Sequence, residues 1–590
     1  MMKFNIYKKF DEILIKNGII KNVLYDNAIH EVNKLENSYI SGNKIGIYGV
    51  GIEAEGLLHF ISEHSRDLKI DVCFDKTIRN YKFKELIINH NVYPIEKIAD
   101  MGVDYIIIGS FNYRQDFINN LNDLGYSGNI VDLFSCMEAY IEDHYADYNM
   151  VYHTRQKFLK SDGDSKIHNL KKLIKECLMI KDFCGSLHYM NEYINNMFPG
   201  YEMYIQLRAE LNSFLHEIKE CIKKRNKKDI IINWVDALSY YDISDFPFLK
   251  YITENGVSFE NAYTVMPWTT ETTKTIMFGE YPIEGKLFLK ENLSSDNVKL
   301  LKILNEHGYK FVYCGMPKFS KLFNEDVITP VHIFENKYSG SMQKQWDALN
   351  VICQSENPVC ILIHTLRETH EPFICGEGDS FIYFGSTKAD WSQNECLKQV
   401  ETAGKYIDKQ LKFYESFYKE SSVEIYMSDH GRVGNSPMNE KKIHTMLMIS
   451  CKDYHPCSVK NMFSLVKFPD LILKIIRGEN DWDSLTDDYV IIQNLDAYNE
   501  LVVRDTISGR LSKEEMYQCR GVVTMKDMYF LYTYGKEYYF TDHSSTQNEI
   551  DNYQYADRIS KLKKLCGRDF IDIFKYDKFK YSRRLYVDTE

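Results

Sequence analysis

The sequence predicts an α/β protein: two regions in which short apolar strands alternate with helices, separated by a helical stretch. Three observations carry this. Apolar runs of strand length lead into Gly or Asp near residues 44–51, 230–236 and 423–429. The span 142–228 is helical in pattern, charged and poor in glycine. The chain of 590 residues, 44% apolar and 26% charged, sits near the globular average. At roughly 150 residues per domain it makes about three or four units. Only 12 prolines and 30 glycines exclude a collagen-like or linker-dominated chain.

Lys and Arg number 72 against 84 Asp and Glu, for a net charge of −12. Such a surface repels a phosphate backbone, so no nucleic-acid partner is expected. The opening MMKFNIYKKFDEILIKNG contains no apolar stretch of signal-peptide length. No later run reaches the roughly 18 residues of a membrane span. The 14 cysteines include no C-x-x-C pair, which suits reduced thiols better than a disulfide framework. The expected compartment is the cytoplasm.

The first unit is expected over 1–140. KIGIYGVGIEAEGLLHFI at 44–61 is a strand, a glycine turn and a helix beginning near Glu53, with Gly49, Gly51 and Ala54 in a G-x-G-x-x-A pattern. Glycines let the backbone approach a phosphate, and a helix N-terminus offers it free amides. A second strand, Ile70–Phe74, ends at Asp75, about where a ribose-binding carboxylate would stand. Further strands at Tyr105–Ile108 and Ile130–Leu133 complete a parallel sheet of Rossmann type. Residues 40–135 resemble the small Rossmann-like modules fused to bacterial surface-polysaccharide enzymes. Glu53 and Glu55 in the first helical turn oppose a bound pyrophosphate, so the expectation is weak or absent dinucleotide binding and a docking role. A helical connector follows over 141–228.

The larger unit opens with Ile230–Val235, a strand ending in Asp236. The segment MPWTTETTKTIMFG then gathers Thr269, Thr270, Thr272 and Thr273 at the start of a helix, whose free amides could face an anion beside a nucleophilic hydroxyl. VEIYMSDHG delivers Asp429 and His430 at the end of another strand, a pair suited to a divalent transition metal. His370 in CILIHTLRETHEPF and His444 before TMLMIS also lie beside strands.

Residues 229–590 resemble the sulfatase-like branch of the alkaline phosphatase superfamily. The resemblance runs in order through GVSFENAYTVMPWTTETTKTIMFGEYP (the nucleophile block), LLKILNEHGYKFVYCGMPKF, ETHEPF (similar to D-P-H-x-P-Y, with Glu368 for the usual Asp), MSDHG, and a closing hairpin ending in N-E-x-x-N. It implies an alkaline phosphatase-like core over 229–485 and a C-terminal subdomain over 486–590. Counted back ten from Gly279, the nucleophile is Thr269. Lys318 becomes a substrate contact, and His370 a group that protonates or holds a substrate oxygen. Asp236, Thr269, Asp429, His430 and His444 become metal contacts. The implied cofactor is Zn²⁺ or Mn²⁺, with Mg²⁺ and Ca²⁺ as alternatives.

The block has neither the Cys nor the Ser that becomes formylglycine in sulfatases, and Asp236-Ala237 replaces a double Asp. Arg432 stands where an acidic residue is common. These departures favour a metal-dependent hydrolase or transferase of phosphoesters or phosphonoesters with a threonine nucleophile, acting on a small-molecule or saccharide-linked substrate. A sulfuric ester hydrolase and a non-catalytic binding protein of the same fold are the other readings.

Overall fold

The computed structural model describes residues 4–567, apart from 22–25, 77–85, 90, 226, 288–289, 291–292, 317–318, 320–321, 324–326, 331, 333–338, 367, 371–372, 374, 378–392, 432–439, 495–518, 533–534 and 546. Helices α1 (Ile6–Lys16) and α2 (Asp26–Ile40) precede a five-stranded parallel sheet. Its strands are β1 (Ile45–Tyr48), β2 (Val72–Phe74), β3 (Val92–Tyr93), β4 (Tyr105–Ile108) and β5 (Asn129–Val131), in the order β3-β2-β1-β4-β5. The crossovers carry α3 (Ile52–His64), α4 (Ile98–Met101) and α5 (Arg114–Asp123); α6 (Leu133–Cys136) and α7 (Glu138–His144) follow. The second strand starts two residues later than its sequence suggests. β3, at two residues, is too short for any periodicity to reveal.

Four helices fill the connector: α8 (Tyr148–Lys160), α9 (Gly163–Met179), α10 (Phe183–Asn195) and α11 (Tyr201–Lys224). They share one core with α1, whose Phe10 meets Phe183 at 5.7 Å and Trp346 at 5.4 Å between ring centroids. The first helix therefore packs with the larger unit and not on the small sheet. Its apolar positions Ile6, Phe10 and Leu14 recur every four residues, and all are fully buried.

The second sheet has eight strands: β6 (Asp229–Val235), joined by α12 (Pro247–Asn255) to β7 (Val257–Tyr263), then β8 (Lys310–Cys314), β9 (Val359–Thr365), β10 (Ser422–Met427), β11 (His444–Thr445), β12 (Leu447–Ser450) and β13 (Cys457–Ser464). The order is β11-β7-β12-β10-β6-β9-β8, with β13 on β7. β10, β6, β9 and β8 are parallel, while β12 returns antiparallel to β10. Every residue of β6 is buried. Ile231 and Val235 face the helical core, and Ile230, Ile232 and Trp234 face the opposite one. A strand covered on both faces reads as a continuous apolar run, which is why β6 is plain in the sequence. A four-stranded antiparallel sheet follows, β14 (Tyr489–Asn494), β15 (Cys519–Thr524), β16 (Met528–Tyr532) and β17 (Glu537–Phe540), and a helix at Ala556–Cys566 ends the described chain.

Candidate metal and nucleophile site

Parallel pairing decides where the site lies. Trp234 stands opposite Met427 on β10 and His364 on β9, so the carboxyl ends of three adjacent strands reach one edge. In open α/β sheets that edge is where ligands gather. Asp236 follows β6, and Asp429 and His430 follow β10; all three are buried. Their ligand atoms lie within 4.8 Å of one another.

Thr269 is the first residue of α13 (Thr269–Phe278). Its hydroxyl donates to Asp236 Oδ2 at 3.1 Å and lies 3.4 Å from His430 Nε2. Thr272 and Thr273 spend their hydroxyls on the carbonyls of Met266 and Thr269, at 2.6 and 2.7 Å. Thr269 is thus the threonine of this cluster that is hydrogen-bonded to the carboxylate site. Gly279 closes the helix in the left-handed region at φ +65°, a conformation glycine adopts freely. The ten-residue spacing from Thr269 to that glycine is the length of α13.

The donor set fits a cation. Asp236 Oδ1 and Asp429 Oδ2 are buried without a hydrogen-bond partner, which costs free energy unless a positive group meets them. Their sister oxygens are occupied: Asp236 Oδ2 by Thr269 and by His364 Nε2 at 3.0 Å, Asp429 Oδ1 by the amides of Ala237 and His430 at 3.1 and 2.9 Å. His430 Nδ1 donates to the Gly431 carbonyl at 2.7 Å, leaving the Nε2 lone pair turned toward Thr269 and Asp429. Burial lowers the His430 pKa; Asp429 works against this and Lys442 adds to it, so the neutral, ligating form is favoured. Burial alone would raise Asp236, but the His364 hydrogen bond, with the imidazoles of His370, His430 and His364 around it, brings its carboxyl down to about 2. Ala237, where a second Asp is usual in the resembling family, contributes a backbone amide from a positive φ of 57°.

Two neighbours escaped the sequence reading. His364 lies inside the apolar strand β9, 3% exposed, with Nδ1 3.1 Å from the Tyr313 hydroxyl and its ring on Trp234 at 4.8 Å. Within such a run a histidine reads as core; only its register beside the end of β6 betrays it. Lys442, 2% exposed, brings its ammonium to 3.1 Å from His430 Nδ1 and 5.4 Å from the centre of the Trp268 ring. In the run EKKIH it reads as a solvated charge.

His370 is half-buried and near enough to Asp236 for its charge to be felt there. His444 is not brought to the trio. Its ring is stacked between Tyr240 and Tyr263, at 4.6 and 4.7 Å, and Nε2 donates to the Glu260 carbonyl at 2.8 Å. Pairing of β11 with β7 turns it toward that aromatic sandwich, so the expectation of a fifth metal contact is corrected. Lys318 and Arg432 lie outside the described residues.

In the small sheet, Gly49 has φ +89°, and a Cβ there would meet the Phe117 ring at 2.4 Å. Gly51 caps α3, and Ala54 is buried in the module's core. The amide of Val50 already donates to Asp75 Oδ2 at 3.0 Å, and Glu53 accepts from Ser110 Oγ and the Phe111 amide at 2.5 and 2.8 Å. The glycine turn is thereby committed to packing and internal hydrogen bonds.

No family model and no curated protein matches the chain. Solved structures of similar fold do. A phosphonate monoester hydrolase from Silicibacter pomeroyi is 12% identical, with 57% of this chain and 94% of that one aligned at a TM-score of 0.43. A 2-O glycosaminoglycan sulfatase is 13% identical over 60% and 94%, at 0.45. A protein in the alkaline phosphatase superfamily from Vibrio parahaemolyticus is 15% identical over 62% and 97%, at 0.37. At these values the likeness is one of outline, and the chemistry has to come from this chain's own residues.

Proposed function

We propose that the chain is a metal-dependent hydrolase or transferase of phosphoesters or phosphonoesters, with Thr269 as nucleophile. One observation carries the reading: a hydroxyl at the head of a ten-residue helix stands 3.1 Å from a buried carboxylate, and two carboxylates each turn a buried oxygen without a partner into the same trio. Asp236, Asp429 and His430 would hold a divalent cation, with Thr269 beside it. When bound there, such an ion would supply positive charge that favours deprotonation of the neighbouring hydroxyl at neutral pH.

Asp236 orients the Thr269 hydroxyl, and the free amides at the start of α13 face the charge that develops on the substrate oxygens. Thr269 Oγ1 forms a bond to phosphorus as the bond to the leaving oxygen breaks, and the Thr269 proton passes to solvent. His370 gives a proton to the departing alcohol, a role Lys318 could share. Water or an acceptor alcohol then displaces the threonine oxygen, restoring the hydroxyl. Lys442 adds positive charge beside His430. The small sheet serves docking or orientation, in keeping with a saccharide-linked substrate in surface-polysaccharide metabolism.

The test is a panel of aryl phosphate mono- and diesters, phosphonate esters and sulfates with Mn²⁺, Zn²⁺ and Mg²⁺. Metal-dependent release from the phosphorus esters supports the proposal. Release from sulfates alone assigns the sulfuric ester reading, and no turnover with any metal supports a binding protein.

A further inference from the structure

Two residues before His370, Glu368 is fully buried. Among the described residues it has no cationic partner within ion-pair distance. Its carboxylate instead takes three donors: the Tyr148 hydroxyl at 2.6 Å, the Ser341 amide at 2.9 Å and Ser341 Oγ at 2.6 Å. Ser341 opens a fourteen-residue helix, whose positive end favours a carboxylate. Tyr148 opens α8, in the connector, 220 residues away along the chain. Its ring lies against bare backbone: a Cβ on Gly340 would sit 2.5 Å from Tyr148 Cζ. Behind it, the Tyr406 ring meets it edge-on at 5.9 Å between centroids and is itself held by donating its hydroxyl to Asp182 at 3.1 Å, so the ring is fixed from the far side as well.

From Glu368 the chain turns tightly. The His370 amide donates to Leu366 O at 2.9 Å, the Phe373 amide to His370 O at 2.8 Å, and Phe373 is held at φ +55°. A displacement of Glu368 is therefore passed to His370 and not absorbed by slack backbone.

We propose that Tyr148, acting through Glu368, is a positioning residue for His370, so that the helical connector sets the geometry of the reaction site. This rests on the role given to His370 above. An electrostatic purpose for Glu368 itself is less apt, because among the described residues no cation is paired with it, burial pushes its carboxyl pKa up, and its oxygens are taken by the Tyr148 hydroxyl and Ser341 at the helix terminus.

The test is a double-mutant cycle on the full chain with Tyr148→Phe and His370→Ala, assayed on the best ester of the panel. Tyr148→Phe should lower kcat by about 10- to 100-fold, the scale of a small misplacement of a reacting group, with KM and metal content little changed. In the His370→Ala background the same change should cost less than about 2-fold, because the two act as one unit. An equal loss in both backgrounds, a rise in KM alone, or no loss at all overturns the proposal. Should Tyr148→Phe not fold, Ser341→Ala removes another donor from the same carboxylate and enters the same cycle with the same expectations. If the wild-type chain turns over no ester, the catalytic reading fails, and the positioning claim is decided separately by diethyl pyrocarbonate modification of His370 followed by mass spectrometry. A rate changed by Tyr148→Phe at least about 3-fold supports the claim, since access to a half-buried ring follows its placement; an unchanged rate overturns it.

Discussion

The Thr269 hydroxyl stands 3.1 Å from Asp236 Oδ2, although the two residues belong to different elements, one at the head of α13 and one past the end of β6. That contact joins a nucleophile to a cation-binding set and fixes what substitution should do at each position.

Asp429→Asn should lose metal and ester turnover together. It removes a buried charge whose Oδ2 has no hydrogen-bond partner and leaves Asp236 and His430 to hold the ion alone. Elemental analysis of the purified variant beside the wild type checks this. Normal metal content in the variant would place the ion elsewhere.

His370→Ala should keep the metal and slow turnover by about 10²–10⁴-fold, the range for a general acid or base. The loss should be greatest for esters with poor leaving groups, which need the proton most. A uniform loss across leaving groups would assign His370 to binding a non-bridging oxygen.

Thr270→Ala is the internal control. Thr270 is one position along the same helix but is not a hydrogen-bond partner of Asp236 or His430, so most activity should remain. If kinetics show Thr270 essential and Thr269 dispensable, the nucleophile has been assigned one residue early.

The C-terminal sheet should be tied to the core by a pH-dependent pair. His543 Nδ1 faces Glu440 Oε1 at 2.8 Å and Nε2 faces the Thr524 carbonyl at 2.6 Å, so both nitrogens donate and the imidazolium is favoured. Burial alone would lower the His543 pKa, but the Glu440 hydrogen bond and charge raise it above the ordinary value. Glu440 is shifted the opposite way: burial would raise it, but the neighbouring His444, the His543 hydrogen bond and the neighbouring Tyr241 depress it. Stability from His543 is fully present below the ordinary histidine pKa and is lost as pH rises through its raised one. Stability from Glu440 is present above the ordinary glutamate pKa and is lost as pH falls toward its depressed one. Thermal unfolding followed against pH should show His543→Gln less stable by about 1–2 kcal/mol on the acid side of neutrality, the worth of a charge-assisted hydrogen bond. The two curves should converge above the raised histidine pKa, and a gap that does not change with pH would deny the charge.

Calorimetry of the full chain with NAD or a nucleotide sugar should give no tight binding by the small sheet, because the Val50 amide is already taken by Asp75 and Glu53 lies in the first turn of α3. Saturable micromolar binding there would contradict the packing role of Gly49.

Sequence and structure part company for identifiable reasons. β6 and β10 were legible because strands buried on both faces must be apolar, and a lone Asp at each end stands out against them. Thr269 was legible because a helix of fixed length runs from it to a glycine. His364 was not, since a histidine inside an apolar run carries no mark of the carboxylate beside it. Lys442 was hidden in a charged tripeptide, and His444 had the right residue type next to a strand but the wrong pairing partner. The membership of α1 in the larger core depends on contacts with Trp346 and Phe183 that no local pattern announces. Among the described residues, no helix is long and apolar enough to cross a membrane.

Metal content and ester turnover measured on the same preparation of Thr269→Ala separate an attacking Thr269 from the residues that hold the metal. Turnover should fall to background with most of the metal retained, because Asp236, Asp429 and His430 remain in place. Turnover within a few-fold of wild type in that variant would contradict Thr269 as the nucleophile.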